Sequence, residues 1–232
     1  FTGDPHRLSG VRRYDTLTYE ELATLADAGC EVVHPRAVDY ARRHGVPLFI
    51  GSSFHDTPGT RVMPTAATPE AQEPPVDACR YRPLSLVARD DVALLEVACK
   101  DAAAFADFRA VAVAASGAGL FLGEWLRDDQ ERVWRALLPS SDASALHDRL
   151  APAAAAHETS LRFRRGLCCI TLAGRPATNW LSVHGRVEEL LASLGVIDRV
   201  LLTDGPLLRL LVSADDGAAL QQPLHDAFLT GE

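Results

Sequence analysis

Between Val92 and Leu229 the chain runs twice through the same alternation of apolar strand and helix, and this repetition restricts the fold more than any other feature. In the first copy Val92 to Cys99 reads as a strand and Asp101 to Ser116 as an alanine-rich helix. Leu120 to Leu126 and Arg132 to Leu138 follow as a hairpin around the polar Asp128-Asp129-Gln130 turn. Asp142 then caps a helix that ends before the Ala153 to Ala156 tract, and Thr159 to Arg164 is a further strand. In the second copy Leu167 to Ala173 is a strand and Leu181 to Leu194 a helix closed by Gly195. Val196 to Thr203 and Leu207 to Ser213 pair across Asp204-Gly205-Pro206, and Gly217 to Leu229 is the last helix. Each copy has the order βαββαβ, or a trimmed version of it, which is the ferredoxin-like unit of antiparallel sheet with both helices on one face. The copies divide as residues 80–165 and 166–232.

Ahead of the repeat, Val62 to Ala78 holds Pro64, Pro69, Pro74 and Pro75 among Ala, Thr and acids, with no periodic apolar face, and residues 63–79 read as a linker. Residues 1–62 read as a compact α/β stretch. Thr18 and Glu21 have the spacing of a capping box, and the helix they open stops at Gly29. His34-Pro35 precedes a second helix that ends at Gly45, with His34 read as a packed residue before a turn proline. Val46 to Gly51 is an apolar run expected to form a buried strand, and Asp56-Thr57-Pro58-Gly59 a tight turn.

Composition excludes several functions. The longest uncharged stretch, Ala110 to Gly123, is shorter than the roughly 20 apolar residues of a membrane span. The 31 acids outnumber the 23 bases for a net charge of -8, and the arginine pairs are scattered, so no nucleic-acid or membrane partner is expected. Lys100 is the only lysine among those bases, so any phosphate chemistry would rest on arginine. Cys30, Cys79, Cys99, Cys168 and Cys169 show no C-x-x-C spacing and read as structural thiols of a reducing cytoplasm. No signal peptide is visible after Phe1, and the N-terminus reads as cut. No P-loop, GxGxxG, HExxH, GxSxG or EF-hand pattern occurs, and the eight histidines stand singly, so no metal site is expected.

Three stretches carry a family resemblance. Phe1-Thr2-Gly3-Asp4-Pro5-His6-Arg7 is similar to Tyr-Thr-x-Asp-Pro-Arg. Thr18-Tyr19-Glu20-Glu21, with Ala28-Gly29-Cys30-Glu31-Val32-Val33-His34-Pro35, is similar to Ser-Tyr-Glu-Glu and Gly-Ala-Lys-Val-Leu-His-Pro. Ser52-Ser53-Phe54 with Pro58-Gly59-Thr60 is similar to Ser-Ser-Phe and Pro-Gly-Thr. In order and spacing they resemble the aspartate kinases of the amino-acid kinase family, whose catalytic domain is followed by two βαββαβ ACT domains. The resemblance implies that residues 1–62 are the C-terminal remnant of the amino-acid kinase domain and that two diverged ACT domains follow the linker. It implies ATP and Mg2+ as the family's cofactors, transfer of the γ-phosphoryl group to the side chain of aspartate, lysine or threonine as amino-acid effector, and a homodimer through the ACT domains.

By the same resemblance Phe1, Thr2, His6, Arg7 and Glu31 belong to the nucleotide edge. Phe1 keeps a ring without the family's hydroxyl, His6 replaces an arginine beside Arg7, and Glu31 reverses the charge of a lysine. The family's lysine-glycine-glycine strand and aspartate-binding residues precede Phe1, so no catalytic residue is expected in this chain and no activity from it alone. In place of the ACT Pro-Gly turn the first copy has Ala98-Cys99-Lys100-Asp101 and the second Gly174-Arg175-Pro176-Ala177. Lys100 and Asp101 fit either an amino acid's carboxylate and ammonium or a solvated helix start with Asp101 as N-cap. The alternative to an aspartate kinase-like protein is a non-catalytic module that senses an amino acid or binds a partner.

Overall fold

Helix starts are where local chemistry speaks first. Thr18 Oγ1 accepts the Glu21 amide at 3.1 Å and Glu21 Oε2 accepts the Thr18 amide at 3.0 Å, so the expected capping box is present. It opens α1, Tyr19–Ala28, which ends at Gly29 with φ of 105°, a left-handed turn that favours glycine. Thr18→Ala is expected to lower stability by about 1 kcal/mol, read as a lower urea midpoint at unchanged slope. The second helix, α2, Pro35–His44, is capped by His34, whose Nδ1 accepts the Arg36 amide at 3.2 Å. His34 is exposed, so it caps the helix instead of packing.

The computed structural model describes residues 1–30, 32–54, 58–64, 83–99, 102–115, 121–126, 132–175 and 178–230. Most of the expected linker, the turns at 55–57 and 127–131, and Glu31, Cys79, Lys100, Asp101, Pro176 and Ala177 lie outside them. The chain packs as two compact units, residues 1–88 with 169–232, and residues 89–168. Among the described residues no helix is long and apolar enough to cross a membrane. Cys99, Cys168 and Cys169 are buried, and Cys30 is half-buried.

In the unit of residues 1–88 and 169–232, strand β1, Thr16–Thr18, pairs in parallel with β3, Thr60–Met63, which pairs antiparallel with β2, Leu48–Ile50. Leu22 and Leu25 of α1 and Val38 and Ala41 of α2 share one core with Leu17 and Val62. The apolar run expected as a buried strand is short, and Phe49 at its centre is 67% exposed. The same unit holds the start of β4, Ser85–Cys99, the end of β7, Leu161–Ala173, and then α5, Trp180–Ser193, β8, Val200–Asp204, β9, Leu207–Ser213, and α6, Ala214–Leu229. Its strand order is β4-β7-β9-β8. Val183, Val187 and Leu191 of α5 and Leu220, Leu224 and Phe228 of α6 are buried.

In the unit of residues 89–168, β4 continues and is followed by α3, Ala102–Ala115, β5, Phe121–Leu126, β6, Arg132–Pro139, α4, Ala143–Ala156, and the first part of β7. The strand order is β5-β6-β4-β7, with β5-β6 the expected hairpin. Ala93, Leu95 and Val97 stand opposite Leu138, Ala136 and Trp134, and Phe108 of α3 and Leu146 and Leu150 of α4 close over them. Both helices therefore cover one face, as expected for a βαββαβ unit. Four local expectations change, and the first is the strand expected at Val92 to Cys99, which begins at Ser85. Asp142 makes no capping bond because a 3-10 turn, Ser140–Asp142, leads into α4. The helix continues through Ala153–Ala156, since alanine favours helix and Pro152 is accommodated inside it. The strands expected at 159–164 and 167–173 are one strand, β7, which passes through Gly166 at φ 67° without a turn.

Candidate functional site

The first 62 residues fold so that their three motif stretches meet at one pocket of about 360 Å³. Phe1 comes from the first stretch, Cys30, Val32 and Val33 from the second, and Ser52, Pro58, Gly59 and Thr60 from the third. Leu17, Leu22, Leu25 and Ile50 form an apolar floor, suited to a flat hydrophobic group. Thr60 is set by its hydroxyl, which donates to the Tyr14 carbonyl at 2.6 Å. Gly59 lies where a Cβ would come within 2.5 Å of the Ile50 carbonyl oxygen, so only glycine allows this approach.

The cation on the described wall is Arg13, paired with the exposed Asp15 at 2.5 Å. In the sequence Arg12-Arg13 is one of the scattered arginine pairs, and nothing local distinguishes which arginine turns inward. Among the residues expected at the nucleotide edge, Phe1 lines the pocket with its side chain half exposed. Thr2 is buried instead, accepting the Arg12 amide at 3.0 Å. His6 and Arg7 stand exposed on a turn held by Asp4, which accepts the His6 amide at 2.9 Å and lies 3.8 Å from the Arg7 Nε. Among the described residues no three His, Cys, Asp or Glu side chains gather to hold a metal ion.

A second feature lies where β7 meets α5. Arg175 N–H donates to Thr178 Oγ1 at 2.8 Å and the Thr178 amide donates back to the Arg175 carbonyl at 2.9 Å, closing a tight turn. A Cβ at Gly174 would sit 2.5 Å from the Trp180 ring. Arg175 Nε donates to Glu21 Oε1 at 2.7 Å, so the capping-box glutamate serves two partners. Tyr14, close to this pair, donates its phenol to the Leu84 carbonyl at 2.5 Å. Burial pushes the Tyr14 pKa up, with Arg175 opposing. The Gly174-Arg175-Pro176-Ala177 stretch was expected at a turn, but the Arg175–Glu21 bridge was not visible in the sequence, since 154 residues separate the two charges.

No family model matches the chain. The aspartokinase of Mycobacterium tuberculosis (strain ATCC 25618 / H37Rv) is 43% identical over 63 residues, 27% of this chain and 15% of that protein. Escherichia coli aspartokinase III in complex with aspartate and ADP superposes with a TM-score of 0.71 at 20% identity, over 97% of this chain and 49% of that one. The same enzyme in complex with lysine and aspartate gives 0.68. The regulatory subunit of aspartate kinase from Thermus flavus matches 64% of this chain and 98% of its own length with a TM-score of 0.53 at 14% identity. The chain thus spans about half of the aspartokinase III chain and a smaller part of the mycobacterial relative in the aligned region. These likenesses agree with the expected fold class, α/β and α+β with ferredoxin-like ACT units.

Proposed function

We propose that the chain is aspartate kinase-like, that it represents the C-terminal and regulatory part of such a protein, and that its pocket is one edge of a nucleotide site. The observation that carries this is the convergence of all three motif stretches on one cavity. Its apolar floor would take the base beside Phe1. Arg13 would supply the positive charge toward the phosphates, replacing the family lysine whose place is taken by Glu31. His6 and Arg7, exposed on the adjoining turn, are the further candidates for phosphate contact. Mg2+ would arrive with the phosphates, because magnesium usually keeps its waters and few protein carboxylates.

For the whole protein the reaction is transfer of the ATP γ-phosphoryl group to the side-chain carboxylate of aspartate, the activity of the family. Residues 1–62 are the end of its kinase domain, 63–79 a linker, and 80–165 and 166–232 its two ACT-like repeats. The Arg175 turn and the Lys100-Asp101 pair are the places where an amino-acid effector, lysine or threonine, would meet them. ACT sheets commonly associate, which supports a homodimer, and buried cysteines support a cytoplasmic location.

Titration calorimetry of the 232-residue chain tests the pocket. Mg·ATP is expected to bind, and Arg13→Ala to weaken that binding about tenfold, the loss of one charge-assisted hydrogen bond. Equal affinity in the variant would remove Arg13 from the site, and no heat with the parent chain would remove the nucleotide. A coupled assay of ADP release with aspartate is expected to stay at background, and lysine and threonine titrations to give heat with one of them.

A further inference from the structure

The loop that carries Phe1, His6 and Arg7 is held by α6, the last helix of the chain, through contacts that none of its motifs requires. Thr2 Oγ1 lies 3.0 Å from Nε2 of His225, and both side chains are buried, at 2% and 0% exposure. The Arg12 amide donates to the same Thr2 oxygen at 3.0 Å, and the Thr2 amide donates to the Arg12 carbonyl at 2.8 Å. Arg12 NH2 donates to the Leu229 carbonyl at 3.0 Å. Gln222 clasps Ser9 from both sides, accepting its amide at 2.9 Å and donating to its carbonyl at 3.4 Å. A Cβ at Gly3 would lie 3.2 Å from the His225 ring, so the loop backbone rides directly on the imidazole.

His225 Nδ1 has no hydrogen-bond partner among the described residues, and Asp226 Oδ1 is 3.8 Å from it. Burial lowers the His225 pKa, with Asp226 opposing and Arg12 adding, which favours the neutral ring. The tautomer of the ring decides whether Nε2 accepts from the Thr2 hydroxyl or donates to it, and in either case the Thr2 oxygen accepts the Arg12 amide. The three groups form one chain of hydrogen bonds.

We propose that α6 is a latch on residues 1–12, in which His225 is a positioning residue that holds Thr2 and thereby sets Phe1 at the edge of the pocket. Thr2 is followed on the other side by β4, where the Leu86 amide donates to the Thr2 carbonyl at 2.9 Å and Ser85 Oγ to the Phe1 carbonyl at 3.1 Å. The loop therefore lies between a fixed strand and a helix. Arg186 of α5 donates to the Ala227 carbonyl at 3.1 Å and lies 5.1 Å over the Phe228 ring, so α6 is also tied to the helix that begins after the Arg175 turn. A ligand that shifts α5 would reach Phe1 through α6. The control of ligand binding rests on the nucleotide reading, whereas the latch itself does not.

Amide exchange by NMR on the 232-residue chain separates the two. His225→Met fills the space without a hydrogen bond, and His225→Gln restores a polar group at the Nε2 position. In the Met variant the Ser9 and Arg12 amides are expected to exchange about tenfold faster, as the loss of one buried hydrogen bond implies, while β8 and β9 amides are unchanged. The Gln variant is expected to recover most of the protection. Should the Met variant fail to fold, Gln222→Ala at a half-buried surface position gives the same reading at Ser9 and Arg12. Unchanged loop amides, or all amides accelerating in parallel, would overturn the latch. Added Mg·ATP then reports on the site. If loop amides behave as expected and the parent chain gives no response to Mg·ATP, the nucleotide reading falls and the latch stands. If the released loop binds Mg·ATP as tightly as the parent, the latch holds the loop without controlling the site, and that half of the proposal is lost.

Discussion

Phe108→Ala is expected to cost the unit of residues 89–168 about 3–5 kcal/mol, the usual loss for emptying a phenylalanine site in a core. Phe108 is fully buried, and with Ala104 of α3 it meets Leu146 and Leu150 of α4 above Leu95 and Val97 of β4. Removing the ring leaves a void that two helices and a sheet border, and the pleat of the strands cannot collapse into it. Because whole-domain stability is about 5–15 kcal/mol, the variant would approach unfolding of this unit at room temperature. The ring also lies 6.2 Å from that of His157, whose Nε2 is 2.8 Å from Asp107, so the end of α4 should loosen with it. Urea titration followed by circular dichroism checks the loss, and Phe108→Leu, which refills most of the volume, should lose clearly less. A Phe108→Ala change within about 1 kcal/mol of the parent would mean that α3 does not close the core as described.

Gly59→Ala is expected to damage the pocket more than any change to its side chains. The new Cβ would lie 2.4 Å from the Phe49 ring and 2.5 Å from the Ile50 carbonyl oxygen. The ring is largely exposed and can turn away, but the carbonyl belongs to the backbone of β2, so β2 must move relative to β3. Overpacking of this kind costs about 1–3 kcal/mol. It also displaces Ile50, Ser52 and Thr60, which line the cavity. Mg·ATP affinity is expected to fall about tenfold or more, which is the effect of about 1.4 kcal/mol at the site. The contrast is Gly45→Ala, where a Cβ has open space and the penalty comes only from its φ of 63°, so stability drops slightly and the pocket keeps its shape. Equal Mg·ATP affinity in Gly59→Ala and the parent would separate this pocket from nucleotide binding.

Much of the local structure was legible because its causes are local. Thr18 with Glu21, Gly29 and Gly45 specify where two helices start or stop, and each acts through atoms within four residues. The β5-β6 and β8-β9 hairpins could be read from apolar runs flanking polar turns. The β1 strand was missed because three residues give no alternation to detect. Asp142 misled because the capping preference of aspartate is satisfied only when the chain enters from extended backbone, and here a 3-10 turn precedes it. At the candidate site the three motif stretches were recognised separately. Their meeting in one cavity, the inward turn of Arg13 and the burial of Thr2 depend on packing that motif matching does not describe.

By itself the sequence determined the types of element, most of their boundaries, the repeated βαββαβ order and the kinase-like motifs. Tertiary structure alone decided which strands complete which unit. The second copy ends in a helix, and its fourth strand comes from the start of β4, where the Leu84 amide donates to the Ala173 carbonyl at 2.5 Å. Both units then show the same order of strands, fourth beside first, first beside third, third beside second, with β4 and β7 each giving residues to both. Tertiary structure also placed His225 against Thr2, 223 residues away in the chain. The physical reason is common to both. Hydrogen-bonding preferences of short segments are set by near neighbours, whereas the partner of an open strand edge or a buried imidazole is whichever distant group the packing of apolar faces brings to it.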